Sequence, residues 1–188
     1  PYGLTVLRAD GTTVVRDASP AAGWDAASGI VVQRQEAPAG ERYFGLGMRG
    51  GPIDRRGRAF YMKNIDFGAY GEFSDPLYSA TPFYYGLRSG LAWGLFLDNP
   101  ALPFFDMDTA VQGLVTFGAF AGELDYYVFA GPQPADVALA YGRLTGFTPL
   151  PPRWAIGYHQ SRFGYENEAR YLELAATFRQ LGIPCDAL

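Results

Sequence analysis

"PQPADVALAYGRLTGFTPLPPRWAIGYHQ", residues 132–160, is where the sequence changes texture. Val137, Ala140, Tyr141 and Leu144 recur at i, i+3, i+4 and i+7, the spacing of one helical face. Pro134 near the start and Gly146 just past the end mark the termini of a helix over about 134–145. "TPLPPR" (148–153) then reads as a stiff proline linker. A boundary placed there gives an N-terminal domain over 1–149 and a second over 150–188.

Upstream of this switch the chain reads as β structure. "LTVLRADGTTVVRD" (4–17) is two alternating runs about Asp10-Gly11, a strong hairpin signal. "GIVVQRQ" (29–35) is a further strand, and "FYYGLRSGLAWGLFLDN" (83–99) gives two more about Ser89-Gly90. "GLVTFGAF" (113–120) and "ELDYYVFAG" (123–131) continue the pattern. Many short strands with frequent turns predict a β-sandwich or a related all-β fold.

Downstream, "WAIGYHQ" (154–160) reads as a buried strand and "ENEARYLELAATFRQLG" (166–182) as a helix. Its apolar stripe is Tyr171, Leu174, Ala175, Phe178 and Leu181, with Glu166 and Glu168 at the start and Arg179 near the end, as the helix dipole favours. Gly182 caps it, Pro184 blocks continuation, and "IPCDAL" (183–188) reads as the next strand beginning. Strand, helix, strand is the opening of a βαβ repeat. One such unit closes no barrel, so the chain is expected to end in mid-domain. Its uncovered helix stripe would invite association, and a homo-oligomer is a further expectation.

Composition narrows the function classes. Hydrophobic residues are 48% and charged residues 18%, which excludes a disordered chain. The net charge of −4, with no basic stripe, speaks against nucleic acid as a partner. No run approaches the length of a membrane span, so no membrane partner is expected. The single cysteine, Cys185, permits no intrachain disulfide, which fits a reducing, cytoplasmic setting. Aromatics at 16% suit a β core first, and second a surface that stacks on sugar rings.

Several chemistries fail on residue supply. One His and one Cys give no zinc spacing. His159 is the only base for a Ser/His/Asp arrangement, and no G-x-S-x-G elbow exists. "GLGMRGG" (45–51) lacks the Lys-Ser/Thr ending of a phosphate loop and reads as a tight turn. Asp66, Glu72, Asp75, Asp98, Asp106, Asp108, Glu123, Asp125 and Asp186 are available for paired-carboxylate work on a glycosidic bond, but spacing selects no pair. Most read as turn formers or solvated edge residues. "MKNIDFGAYGEFSDPLYSATPFYYG" (62–86) mixes Asn64, Asp66, Tyr70, Asp75 and Tyr78, the ingredients of either a sugar site or a long structural loop. His159 and Arg162 sit where a barrel strand would end and line an active site. The plainer readings are a satisfied core histidine and a buried ion pair, with Phe163 and Tyr165 as packing.

"ERYFGLG" (41–47), "GPIDRRGRAFYMKNID" (51–66), "DPLYSATPFYYGLRSGLAWGLFLDN" (75–99) and the run from Gly122 to Tyr165 resemble, in order, segments of glycoside hydrolase family 31, the α-glucosidase and α-xylosidase family. "GIPCDAL" (182–188) is similar to the family's second barrel strand. The resemblance implies a mainly β chain: a galactose-mutarotase-like β-sandwich, incomplete at its N-terminus, followed by the truncated start of a (β/α)8 barrel. It implies a retaining α-glycosidase that hydrolyses terminal α-linked sugars in oligosaccharides. Two aspartates, a nucleophile and an acid/base, would stand about 5 Å apart, and no metal or organic cofactor is expected. Both aspartates would fall beyond residue 188, so this chain alone would be inactive. By the same resemblance Asp66 matches a sandwich-loop aspartate that binds the terminal sugar. Phe163 matches an aromatic, often Tyr, that lines the sugar subsite. His159 and Arg162 match residues around that strand end and are further substrate-site candidates. Met48 departs from the acidic residue relatives often carry. The alternative is a non-catalytic carbohydrate-binding or structural sandwich module.

Overall fold

A computed structural model of the chain describes residues 2–188. It resolves into two compact units, Pro1–Gly146 and Phe147–Leu188. The first is a β-sandwich. One sheet has six strands in the order β1 (Thr5–Leu7), β2 (Thr13–Trp24), β3 (Val31–Glu36), β9 (Leu114–Ala119), β8 (Pro103–Met107), β5 (Arg58–Tyr61). The other has four, in the order β10 (Tyr126–Phe129), β7 (Leu91–Leu97), β6 (Phe83–Arg88), β4 (Arg42–Gly45). All strand pairings are antiparallel.

The two expected hairpins form where their turn residues stand. β1 pairs with β2 across Asp10-Gly11, and β6 with β7 across Ser89-Gly90. Both turn glycines have φ between 70° and 90° (84° and 72°), which only glycine adopts without strain. Alternation then decides the faces. From β7, Leu91, Trp93, Leu95 and Leu97 enter the space between the sheets. There they meet Tyr43, Phe60, Tyr84, Phe105, Met107 and Phe117. Tyr84 is the hub, set edge-to-face against Tyr43, Trp93 and Phe105 at 5.5 to 5.8 Å. Each such ring, fully buried, contributes about 2–3 kcal/mol of hydrophobic stabilisation.

The opposite face of β7 is covered by a helix, α1 (Pro134–Thr145). Val137 is wholly buried against Phe83 and Ala92, and Tyr141 stacks on Phe83 at 4.2 Å. Gly94 permits this approach, since a Cβ there would lie 2.6 Å from Val137 Cγ1. Leu144, the last member of the expected stripe, is exposed because only the middle of the helix lies on the sheet.

A buried polar network ties the sandwich at one end. Glu41, 1% exposed, accepts from Trp93 Nε1 and Tyr43 Oη at 3.1 Å each and forms an ion pair with Arg88. Arg88 also donates to the carbonyls of Thr13 and Val14, joining the two sheets. The outer edge of β4 is closed by a turn. Tyr43 N donates to Asp54 Oδ1 at 3.1 Å, Arg55 N donates to Tyr43 O at 2.7 Å, and Arg55 Nε donates to Gly45 O at 3.2 Å.

In the second unit, the strand expected over 154–160 forms only in part. Arg153–Ile156 is a 3-10 turn, and strand-type pairing is confined to a parallel bridge between His159 and Ala187. Pro152 fixes the extended residue before the turn, and Ala155 N and Gly157 N bond back to Pro152 O and Trp154 O. Trp154, Ile156 and Tyr158 are exposed rather than buried within this unit. α2 (Glu168–Gln180) begins at Asn167, whose side chain accepts from Arg170 N at 2.9 Å. It ends at Gly182 (φ 64°), with Ile183 N donating to Phe178 O. Leu174, Ala175 and Phe178 are half-buried, while Leu181 is exposed.

Candidate functional site

The longest stretch of the sandwich without regular structure joins β5 to β6, residues 62–82. A loop this long in a compact domain either carries function or is disordered, and this one is internally tied. Ile65 N donates to Leu77 O at 3.1 Å, Ala80 N to Asn64 Oδ1 at 2.7 Å, and Tyr78 Oη to Phe67 O at 2.8 Å. Tyr70 and Tyr78 meet edge-to-face at 5.7 Å, and Leu77 is buried beneath them. Asn64, Asp75 and Tyr78 are therefore occupied in holding the loop. Asp66 is exposed, and among the described residues no hydrogen bond or ion pair engages its carboxylate. Desolvation, and then the Asp66 carboxylate, push the Tyr78 phenol up from its ordinary value.

A cleft of about 370 Å³ opens beside the loop. One wall is Met48 to Gly51 of "GLGMRGG", and the other includes Tyr70, Glu72 and Tyr78. Reading this segment as a tight turn misses its buried cation. The Arg49 side chain is 0% exposed and stands 3.1 Å from Asp75 Oδ1, off the hydrogen-bond axis. Desolvation lowers the Arg49 guanidinium, and Asp75 opposes that shift. A lone Arg between Met48 and a glycine pair carries no signal of burial in the sequence.

The other carboxylates divide as turn chemistry predicts. Asp106 accepts from Thr109 and Ala110, and Asp108 pairs with Arg56 at 2.8 Å. Asp186 lies against Gly157, where a Cβ would stand 2.0 Å from its Oδ2. Among the described residues no three His, Cys, Asp or Glu side chains gather as a metal site.

In the second unit, Asp186 N donates to Tyr158 O at 2.8 Å and Gln160 N to Ala187 O at 2.9 Å, framing the bridge at His159. Within this unit His159 is exposed. Its Nε2 donates to Trp154 O at 3.1 Å and its ring lies parallel to Trp154 at 6.1 Å. That contact turns the imidazole back toward its own chain. Within this unit Arg162 is half-exposed, 3.9 Å from Glu166 and 5.9 Å over the Tyr165 ring. Phe163 is fully exposed, so it packs on nothing within this unit. Tyr165 alone packs, edge-to-face on Tyr171 at 5.4 Å. His159, Arg162 and Phe163 thus follow one another past a strand end, and the last two point outward.

Residues 3–106, more than half of the chain, match the model of the glycosyl hydrolase 31 N-terminal galactose mutarotase-like domain. The chain belongs to glycosyl hydrolase family 31. Residues 148–188 match the TIM-barrel domain of the same family. Among curated family 31 relatives, alpha-glucosidase 2 of Bacillus thermoamyloliquefaciens is 44% identical over 149 residues, 79% of this chain and 19% of that protein. The alpha-glucosidase of Saccharolobus solfataricus is 33% identical over 142 residues, 76% of this chain and 20% of that protein. The chain thus spans about a fifth of the length of these relatives. Among solved structures, the GH31 dextranase of Flavobacterium johnsoniae, a mutant complexed with isomaltotriose, superposes with a TM-score of 0.88 at 32% identity. That match covers 98% of this chain and 22% of the dextranase. The mainly β architecture, a mutarotase-like sandwich followed by the short start of the family 31 barrel, is what the sequence led us to expect.

Proposed function

We propose that this chain supplies the sandwich and the first βα unit of a retaining α-glycosidase that hydrolyses terminal α-linked glucosides. The observation that carries the reading is the order of the matches: one chain holds the family's sandwich and then its barrel start. The kinship with alpha-glucosidases at 44% and 33% identity, and with a dextranase bound to isomaltotriose, supports an α-glucan oligosaccharide as substrate. Asp66 grips hydroxyls of the terminal sugar, and Phe163 offers an aromatic face to a sugar ring. Arg162 and His159 flank that face, His159 chiefly by holding the backbone turn. The catalytic pair is supplied by barrel strands outside these residues, so the 188-residue chain alone has no hydrolase activity.

The test is Asp66→Ala in the full enzyme, assayed on maltose and isomaltose. Losing charge-assisted hydrogen bonds to a sugar lowers kcat/KM by roughly 10- to 100-fold, mainly through KM. An unchanged kcat/KM would remove Asp66 from the site. Glucose release by the 188-residue chain alone would overturn the division of labour. Sugar binding without hydrolysis by the full protein would favour a binding module instead.

A further inference from the structure

We propose that Arg49 is a positioning residue for Asp66, acting as the clasp at the root of the loop that carries it. The proposal rests on the reading of Asp66 as a sugar-binding residue.

Tyr61 is the last residue of β5 and the root of the loop. Its amide donates to Asp75 Oδ2 at 2.8 Å, and its carbonyl accepts from Arg49 Nη2 at 2.9 Å. Arg49 Nη1 stands 3.1 Å from Asp75 Oδ1. The Tyr61 main chain, Asp75 and Arg49 therefore close a ring from three separate segments. It joins the outgoing limb of the loop, which bears Asp66, to the returning limb at Asp75. Arg49 is wholly shielded from solvent, its guanidinium lies 5.8 Å from the Phe60 ring, and its Nε has no partner among the described residues. An arginine buried on such terms costs more in desolvation than one ion pair returns, so it is weak as a stability device. It is effective as a constraint, because one arm of the guanidinium holds the Tyr61 carbonyl while the other stands in an ion pair with Asp75.

The rest of "GLGMRGG" backs the same loop. Met48 N donates to Ser79 O at 2.9 Å, and Arg58 Nη1 donates to Gly50 O at 2.8 Å while lying 5.3 Å over Phe73. A Cβ on Gly50 would stand 2.2 Å from Glu72 O, so the two backbones lie flush. With both limbs held at the root, the Asp66 limb has little conformational freedom left to lose when a sugar docks. Loosening the clasp restores that freedom and weakens binding, with little change in the chemical step.

The experiment is a double-mutant cycle in the full family 31 enzyme: R49M, R49K and D75N, each alone and combined with D66A, with kcat and KM on maltose and the thermal midpoint of each. In the parent background R49M raises KM roughly 10-fold with a much smaller change in kcat; in the D66A background it raises KM about 2-fold or less. R49K, which keeps the cation but cannot hold the Tyr61 carbonyl and stand against Asp75 together, falls between the two. If R49M does not fold, R49K and D75N carry the same comparison. Equal KM effects with and without Asp66, or unchanged KM in folded R49K and D75N, would reduce the clasp to a structural contact and overturn the proposal. If D66A alone leaves KM unchanged, the Asp66 reading fails first and the proposal with it.

Discussion

Replacing Glu41 by alanine should unfold much of what holds the sandwich closed at one end. The carboxylate is 1% exposed and serves three donors: Trp93 Nε1, Tyr43 Oη and the Arg88 guanidinium. Trp93 and Tyr43 are themselves buried, so E41A leaves both without a partner, at about 1–3 kcal/mol each. Arg88 is 23% exposed and keeps the Thr13 and Val14 carbonyls, so its own loss falls near 1 kcal/mol. Together these come to about 3–7 kcal/mol, a large part of the 5–15 kcal/mol of a typical domain. E41Q preserves the shape and one acceptor oxygen, and should cost about 2 kcal/mol. Urea unfolding followed by tryptophan emission reads this directly, because Trp93 is buried while Trp24 and Trp154 are exposed. A loss below 1 kcal/mol in E41A, or equal losses in E41A and E41Q, would refute the reasoning that orphaned donors carry the cost.

Other expectations follow from single contacts. Gly86→Ala places a Cβ 2.2 Å from the Trp93 ring and should destabilise the sandwich by about 1–3 kcal/mol, measured by thermal unfolding. Asn167→Ala removes the acceptor for Arg170 N and should cost α2 about 1 kcal/mol, seen as lost helical dichroism on mild heating. The Tyr126 phenol is pushed up from near 10 to about 12, by burial first and then by the Asp17 carboxylate. Burial likewise raises Tyr43 and Tyr84. The folded chain holds these phenols neutral where the unfolded chain ionises them. Their contribution is complete below about pH 10 and is lost as pH rises toward about 12. The urea midpoint should fall across that window, with the last phenolates, those of Tyr43, Tyr84 and Tyr126, appearing together with unfolding. All thirteen phenols ionising near pH 10 while the protein stays folded would contradict this.

Legibility in the sequence tracked local chemistry. The Asp10-Gly11 and Ser89-Gly90 hairpins were readable because turn residues and alternation agree over a few positions. β5 and β8 were not individually readable. They are only four and five residues long, and their pairing with each other joins segments far apart in sequence. Residues 154–160 have a strand's apolar run, but the proline pair before them sets up a 3-10 turn that composition does not reveal. Among the carboxylates, Asp106 closes a turn with Thr109 and Ala110, as turn chemistry predicts for most of them. Spacing alone did not single out Asp66; that came from the "KNID" resemblance. Arg49 was invisible because its burial depends on Asp75 and Tyr61, brought together only by the fold.

The turn over Asp54 and Arg55 has a consequence for how the protein behaves in a crowd. β4 ends the four-stranded sheet, and an open edge there would offer main-chain groups to any passing extended segment. Both outward groups of Tyr43, and the Gly45 carbonyl, are already taken from within the chain. An aromatic-rich sandwich would otherwise nucleate edge-to-edge aggregates during synthesis or heating. Here this edge is filled by the protein's own turn, so strand addition at β4 must first strip away three internal hydrogen bonds.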